Sequence, residues 1–184
     1  MIATDNVIKQ VAQAKRYTKL VECYRSKFDD DGVFALGYVV DASEQFVLIH
    51  NVDQRITLDG YTMLRIADLT QFDVEVEQAQ FIEKALAIRK KEIKRPVLVD
   101  LTDMETMLFS IEQNYPLVAI YREDVDPDAC WIGSIDSITD KTVTLNEMDP
   151  DAKWNGSKRF RLDEITRIDF DGGYETALAL VAKL

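Results

Sequence analysis

Residues 37–73 read GYVVDASEQFVLIHNVDQRITLDGYTMLRIADLTQFD, and residues 133–169 read GSIDSITDKTVTLNEMDPDAKWNGSKRFRLDEITRID. Laid over each other at a constant offset of 96 and without a gap, they agree at seven positions: Gly37/Gly133, Val47/Val143, Asp53/Asp149, Gly60/Gly156, Arg65/Arg161, Thr70/Thr166 and Asp73/Asp169. Random residue usage would give about two. Character is also kept at Ile49/Leu145, Val52/Met148, Asp59/Asn155, Ile66/Leu162 and Phe72/Ile168. Upstream, LVECYR at 20–25 returns as LVAIYR at 117–122, now at offset 97, so the turn that follows loses one residue. The chain reads as an internal duplication, with one unit at residues 1–96 and its copy at 97–184.

Each copy reads as a helix followed by short strands. In the first, Thr4 or Asp5 is placed to cap a helix whose Val7, Ile8, Val11 and Ala12 recur at helical spacing. Strands are expected near 19–27, 33–41, 44–52, 61–69 and 71–76, separated by polar turns and by the turn dipeptide Asp59-Gly60. In the second copy Thr102 and Glu105 have capping-box spacing, Met104, Leu108 and Ile111 supply one helical face, and the strand order repeats. Gly37 and Gly133 fall in mid-strand, where a strongly bent strand omits a side chain. The expected class is mainly β with flanking helices, α+β, each copy an antiparallel sheet closed into a small barrel. A helix over 78–95 and another over 174–184 follow the two sheets. Their Leu86, Ile93, Leu178 and Val181 are expected to pack the copies together as a pseudo-dimer within one chain.

Composition sets limits on function. Of 184 residues 47% are hydrophobic and 30% charged, the balance of a soluble folded chain. No apolar run approaches a membrane span, and the N-terminal stretch lacks the layout of a signal peptide, so a cytoplasmic location is expected. Residues 1–96 carry 14 basic against 15 acidic side chains, net −1, whereas residues 97–184 carry 8 against 18, net −10. Such acidity repels phosphate backbones and disfavours nonspecific RNA binding by the whole chain.

The run from Gly37 through Asp53, Asp59-Gly60-Tyr61, Leu64-Arg65 and Asp68-Leu69 resembles a group of uncharacterised bacterial proteins whose units are similar to Sm-like and SH3-like small barrels. The resemblance covers both copies and implies the fold of two tandem small barrels. An Sm-type RNA pocket would take Asp41 and Gln45 from the loop after the glycine-bearing strand and Arg65 from the end of the fourth strand. Arg65 is followed by Ile66 instead of glycine, Gln45 stands where asparagine is usual, and the second copy offers Ser137, Lys141 and Arg161. Against an RNA role, Arg65 and Arg161 are expected to pair with carboxylates such as Asp68 and Glu164.

No catalytic or cofactor signature stands in the sequence, and no cofactor or metal is expected. The acidic turns DDDG at 29–32 and DVDPD at 124–128 lack the glycine and glutamate of a calcium loop and read as solvated hairpin turns. The lone His50 would have to work with Cys23, Asp41 or Asp53 to serve a small hydrolase. Cys23 and Cys130, both in expected strands, read as buried reduced thiols. The basic run from Lys84 to Lys94 reads as a solvated helix end. Trp131 reads as core, and Trp154, in the polar loop DPDAKWNGSK, reads as a loop-stabilising residue folded back onto its own barrel, with an exposed anchor for a partner as the alternative. The function expected is a non-enzymatic, protein-binding interaction module, with RNA binding through the first copy as the alternative.

Overall fold

The computed structural model describes residues 5–29 and 32–184; Thr4, Asp30 and Asp31, and with them the cap and acidic-turn readings that use them, lie outside the described residues. The chain divides into two compact units, Met1–Pro96 and Val97–Leu184. The first contains α1 (Asp5–Tyr17), β1 (Leu20–Tyr24), β2 (Ala35–Ala42), β3 (Phe46–Val52), β4 (Leu58–Arg65), β5 (Gln71–Asp73) and α2 (Ala79–Ile88). The second contains α3 (Met104–Glu112), β6 (Val118–Tyr121), β7 (Cys130–Ile138), β8 (Thr142–Met148), β9 (Trp154–Arg161), β10 (Arg167–Phe170) and α4 (Gly173–Ala182).

Within the first unit the antiparallel sheet runs β5-β1-β2-β3-β4, and within the second β10-β6-β7-β8-β9. Both units therefore put the fifth strand beside the first. Among the described residues no ladder joins β4 to β5 or β9 to β10, so neither sheet closes on itself, which corrects the expectation of closed barrels. The three residues of β5 and the four of β10 form ladders too short for closure.

The same local devices recur in both units. One residue is inserted in β2 between Val39 and Asp41 and one in β7 between Ile135 and Ser137, bending each strand. Just before each bulge a glycine meets the neighbouring strand: a Cβ on Gly37 would lie 2.4 Å from the His50 carbonyl oxygen, and one on Gly133 2.2 Å from that of Asn146. The hairpin loops after β3 and β8 are built alike. Asp53 Oδ1 accepts from Arg55 N at 3.0 Å and Thr57 N at 2.9 Å, while Asp149 Oδ1 accepts from Asp151 N and Lys153 N, both at 2.9 Å. Thr70 N donates to the Tyr24 carbonyl at 2.9 Å, and Thr166 N to that of Tyr121 at 3.0 Å.

In the first unit the sheet is covered on both faces. Val7, Val11 and Ala14 of α1 pack on Val21, Cys23, Val39, Val47, Ile49 and Leu64. Ile82 and Leu86 of α2 pack with Leu20, Tyr38 and Val52, which alternation sends to the other side. In the second unit Leu178 and Ala179 of α4 pack with Leu117 and Met148 in the same manner.

The helices differ in detail from their sequence reading. α1 buries Ala14 and leaves Ile8 and Ala12 exposed, because the face toward the sheet runs i, i+4, i+7 from Val7. α3 is capped by Asp103, whose carboxylate accepts from Thr106 N at 2.8 Å, in place of Thr102. The helix expected over 78–95 stops at Ile88, and Lys90 follows with φ 55°. Fourth-strand pairing likewise ends sooner than expected: Ile66–Asp68 and Leu162–Glu164 are single 3-10 turns.

Candidate functional site

The residues singled out in the first unit gather at the β2–β3 hairpin end of the sheet. Phe46 pairs with Arg65, and Ile66 N donates to the Gln45 carbonyl at 2.8 Å, so the backbone brings Gln45 and Arg65 side by side. The side chains are employed within the unit. Asp41, buried just after the β2 bulge, accepts from Ala42 N at 2.8 Å and is ion-paired with Lys15 of α1 at 2.7 Å and with Arg95. Lys15 Nζ also donates to the Ala42 carbonyl at 2.6 Å. Arg65 bonds Asp68. Gln45 is exposed.

The matching end of the second unit holds an open cleft of about 420 Å³ lined by Asp140, Lys141, Thr142, Arg161, Leu162 and Asp163. Arg161 makes a two-pronged contact with Asp163, Nε to Oδ1 at 3.0 Å and Nη2 to Oδ2 at 2.6 Å, and lies 3.6 Å from Glu164. That hydrogen bonding holds the Asp163 carboxyl below its ordinary range. Two acidic and two basic side chains line the cleft, so its lining carries no net charge.

Trp154 is the first residue of β9, opposite Met148, and is 50% exposed; it stands in a strand where the polar surroundings had suggested a loop. The pairing with Met148 supplies the reason, because the tight Asp149 loop of five residues, 149–153, lets the strand resume at once. Cys130, the first residue of β7, is exposed where a buried thiol was expected. Trp131 is buried on β7 and tilts against Phe160 with ring centroids 5.1 Å apart.

His50 does not meet the groups that hydrolysis would require of it. It lies between Tyr38 and Tyr61 on the sheet face covered by α2, stacked on Tyr61 at 4.6 Å, whereas Cys23 packs in the cluster under α1. Burial, with a smaller contribution from Lys94, pushes the His50 pKa down to about 4, and burial pushes the Cys23 thiol far up. Asp53 is spent on its own loop, including Arg55 Nε at 2.8 Å. What His50 does is hold backbone: its Nδ1 accepts from Lys94 N at 3.3 Å, beside Tyr61 Oη donating to the Lys94 carbonyl at 3.2 Å. Together with the Arg95–Asp41 pair, these contacts lay residues 94–95 across the first unit as a strap. The lysines of the basic run, Lys84, Lys90, Lys91 and Lys94, are all exposed on α2 and past its end, as a solvated helix end requires, while the Lys94 backbone and the Arg95 side chain are docked. Among the described residues no three potential ligand side chains gather as a metal site, and no helix is long and apolar enough to cross a membrane.

One pair of residues went unweighed in the sequence although its signal was present. The arginine closing LVECYR and the one closing LVAIYR are both inserted among aromatic rings. Arg25 is 1% exposed, with its guanidinium carbon 3.7 Å from the Phe34 ring centre and Nη2 3.1 Å from Asp29. Arg122 lies 4.9 Å from Trp131 and 5.1 Å from Phe160, with Nη1 2.7 Å from Glu164. Phe34 and Trp131 stand nine residues after their arginines in both units. Arg25→Ala is expected to cost about 2 kcal/mol in urea unfolding by leaving a void under Phe34, and Arg25→Met less than about 1 kcal/mol, since an apolar chain of similar length keeps the packing. Equal losses for both variants would show that the charge, and not the filled space, is what stabilises.

Comparison with known protein families finds no matching family model, and comparisons with curated proteins and with solved structures find no match.

Proposed function

We propose that the chain is a non-enzymatic protein-binding module made of two tandem units of the Sm-like or SH3-like small-barrel type, derived from one ancestral unit. The shared strand order, the glycines at the β2 and β7 bends and the matching aspartate loops support the common unit. The observation that carries the binding role is the helix after each fifth strand. Each buries one face on its own sheet and leaves large apolar side chains outside: Phe81 and Ile88 on α2, and Tyr174, Leu180 and Val181 on α4. Exposed apolar side chains gathered on one helix are the ordinary mark of an interaction surface.

The test is affinity capture from native extract with the whole chain, with and without nuclease, alongside a Leu180→Glu variant and a Phe81→Glu variant. A protein retained through nuclease treatment and lost with either variant is expected. RNA binding through Arg65 and the exposed Lys90, Lys91 and Lys94 is the competing outcome. At physiological salt the chain is expected to leave generic single-stranded RNA unshifted at micromolar protein. A salt-sensitive shift abolished by Arg65→Ala would replace the protein-binding reading with an RNA-binding one.

A further inference from the structure

We infer that the outer face of α4 is the seat of an amphipathic helix with basic flanks, supplied by a partner protein. This inference rests on the protein-binding reading above and names the partner's chemistry. α4 buries Leu178 and Ala179 against Leu117 and Met148. Its opposite side carries Tyr174, Ala177 and Val181 at i, i+3 and i+7, with Leu180 beside them, and no charged residue. Leu180 is 74% and Val181 69% exposed, although a short helix with one buried face normally turns polar groups outward. Apolar residues at 3- and 4-residue spacing over about two turns form the ridge that a second helix packs against.

Charge decides what kind of helix. The unit around this face carries 8 basic against 18 acidic side chains. The acidity belongs to the unit as a whole: exposed Asp171 precedes α4, Glu175 stands three and four residues before the buried Leu178 and Ala179 on the inward stripe, and Asp151 lies in the loop whose Ala152 packs on that same inward cluster. Lys183 closes the helix, and Lys153 is 3.5 Å from Asp151. A second copy of this chain would bring net −10 against net −10, so self-association through the face is opposed by the same field that draws in a basic partner.

The probe is a labelled synthetic helix of about 18 residues with leucines at 3- and 4-residue spacing and lysines elsewhere, compared with a twin carrying glutamates in place of the lysines. Each is titrated against the full chain by fluorescence anisotropy. The basic peptide is expected to bind at least about tenfold more tightly than its twin, and to weaken as salt rises. Val181→Glu should weaken it about tenfold or more while leaving the unfolding midpoint of the chain unchanged, because the side chain is exposed. Asp171→Asn, at an exposed residue ahead of α4, should weaken it by less than Val181→Glu does, without touching the apolar face.

Equal binding of both peptides, absence of binding, or indifference to Val181→Glu overturns the inference. So does a dimer in sedimentation that dissolves with Val181→Glu, which would assign the face to a second copy. If extract capture retains a protein through Leu180 while neither peptide binds, the protein-binding reading stands and the basic-helix assignment falls. If capture retains only nuclease-sensitive material, the reading itself falls.

Discussion

Gly37→Ala is expected to destabilise the first unit by about 3 kcal/mol or more. The added Cβ would stand 2.4 Å from the His50 carbonyl oxygen and 2.5 Å from Ile49 Cγ2, and the first of these belongs to the β3 backbone that the β2–β3 ladder fixes. Relief would require β2 to move off β3 next to the Val39–Asp41 bulge, breaking the pairing that positions Asp41. Gly133→Ala should do the same to the second unit, where the nearest atoms are the Asn146 carbonyl oxygen at 2.2 Å and carbon at 2.9 Å. Gly156 supplies the contrast. It has φ +86° and nothing within 4 Å of an added Cβ, so alanine there incurs only backbone strain of about 1–2 kcal/mol. Urea unfolding of the three variants, followed by tyrosine and tryptophan fluorescence, orders them. A Gly37→Ala chain with the parent midpoint would mean that the two strands are not held at the described separation.

Acid should weaken the first unit through His50. The folded chain keeps this imidazole neutral down to about pH 4, whereas an unfolded histidine takes a proton near 6.5. Between those values the unfolded state binds more protons, so the His50 contribution is complete above about pH 6.5 and is lost progressively as pH falls to about 4. The full loss is about 3 kcal/mol. The structure gives the reason: protonation places a hydrogen on Nδ1, which faces Lys94 N, and charges a ring stacked on Tyr61 within the unit. A His50→Gln variant should flatten the dependence of urea stability on pH over that interval. Carboxylates such as Asp53, held below their usual range, lose their contributions only at lower pH. A variant with the same slope as the parent would assign the acid sensitivity to other groups.

The paired glycines were legible in the sequence because they depend on short-range chemistry, whereas the turn expected at Asp59-Gly60 was misplaced, since both residues lie in β4 and the loop is closed before them. Asp53 and Asp149 each close a loop with their own side chain, and Gly37 and Gly133 each avoid a clash with the strand next to them. The helical face of α1 was half legible, since Val7 and Val11 fit more than one stripe and only the sheet beneath decides between Ala14 and Ile8. Closure of the sheet was not legible at all. Alternation tells which side of a strand faces inward but carries no information on whether the first and last strands reach each other, and β5 proved only three residues long. Of the candidate site, the meeting of Gln45 with Arg65 followed from the strand order. The seizure of Asp41 by Lys15 and Arg95 did not, because it joins residues 26 and 54 positions apart through packing that no local pattern records.

The strap over His50, Tyr61 and Asp41 also bears on how the first unit is completed during synthesis. Its two anchoring residues, Lys94 and Arg95, are the last of that unit to leave the ribosome apart from Pro96. All five strands and α2 precede these two residues in the chain, so the sheet and its covering helix are available before the Lys94 backbone meets His50 and Tyr61 and before Arg95 joins Lys15 on Asp41. The emergence of two further residues then closes the imidazole and the carboxylate together. The order of synthesis therefore makes the elements of the fold available before the residues that latch them.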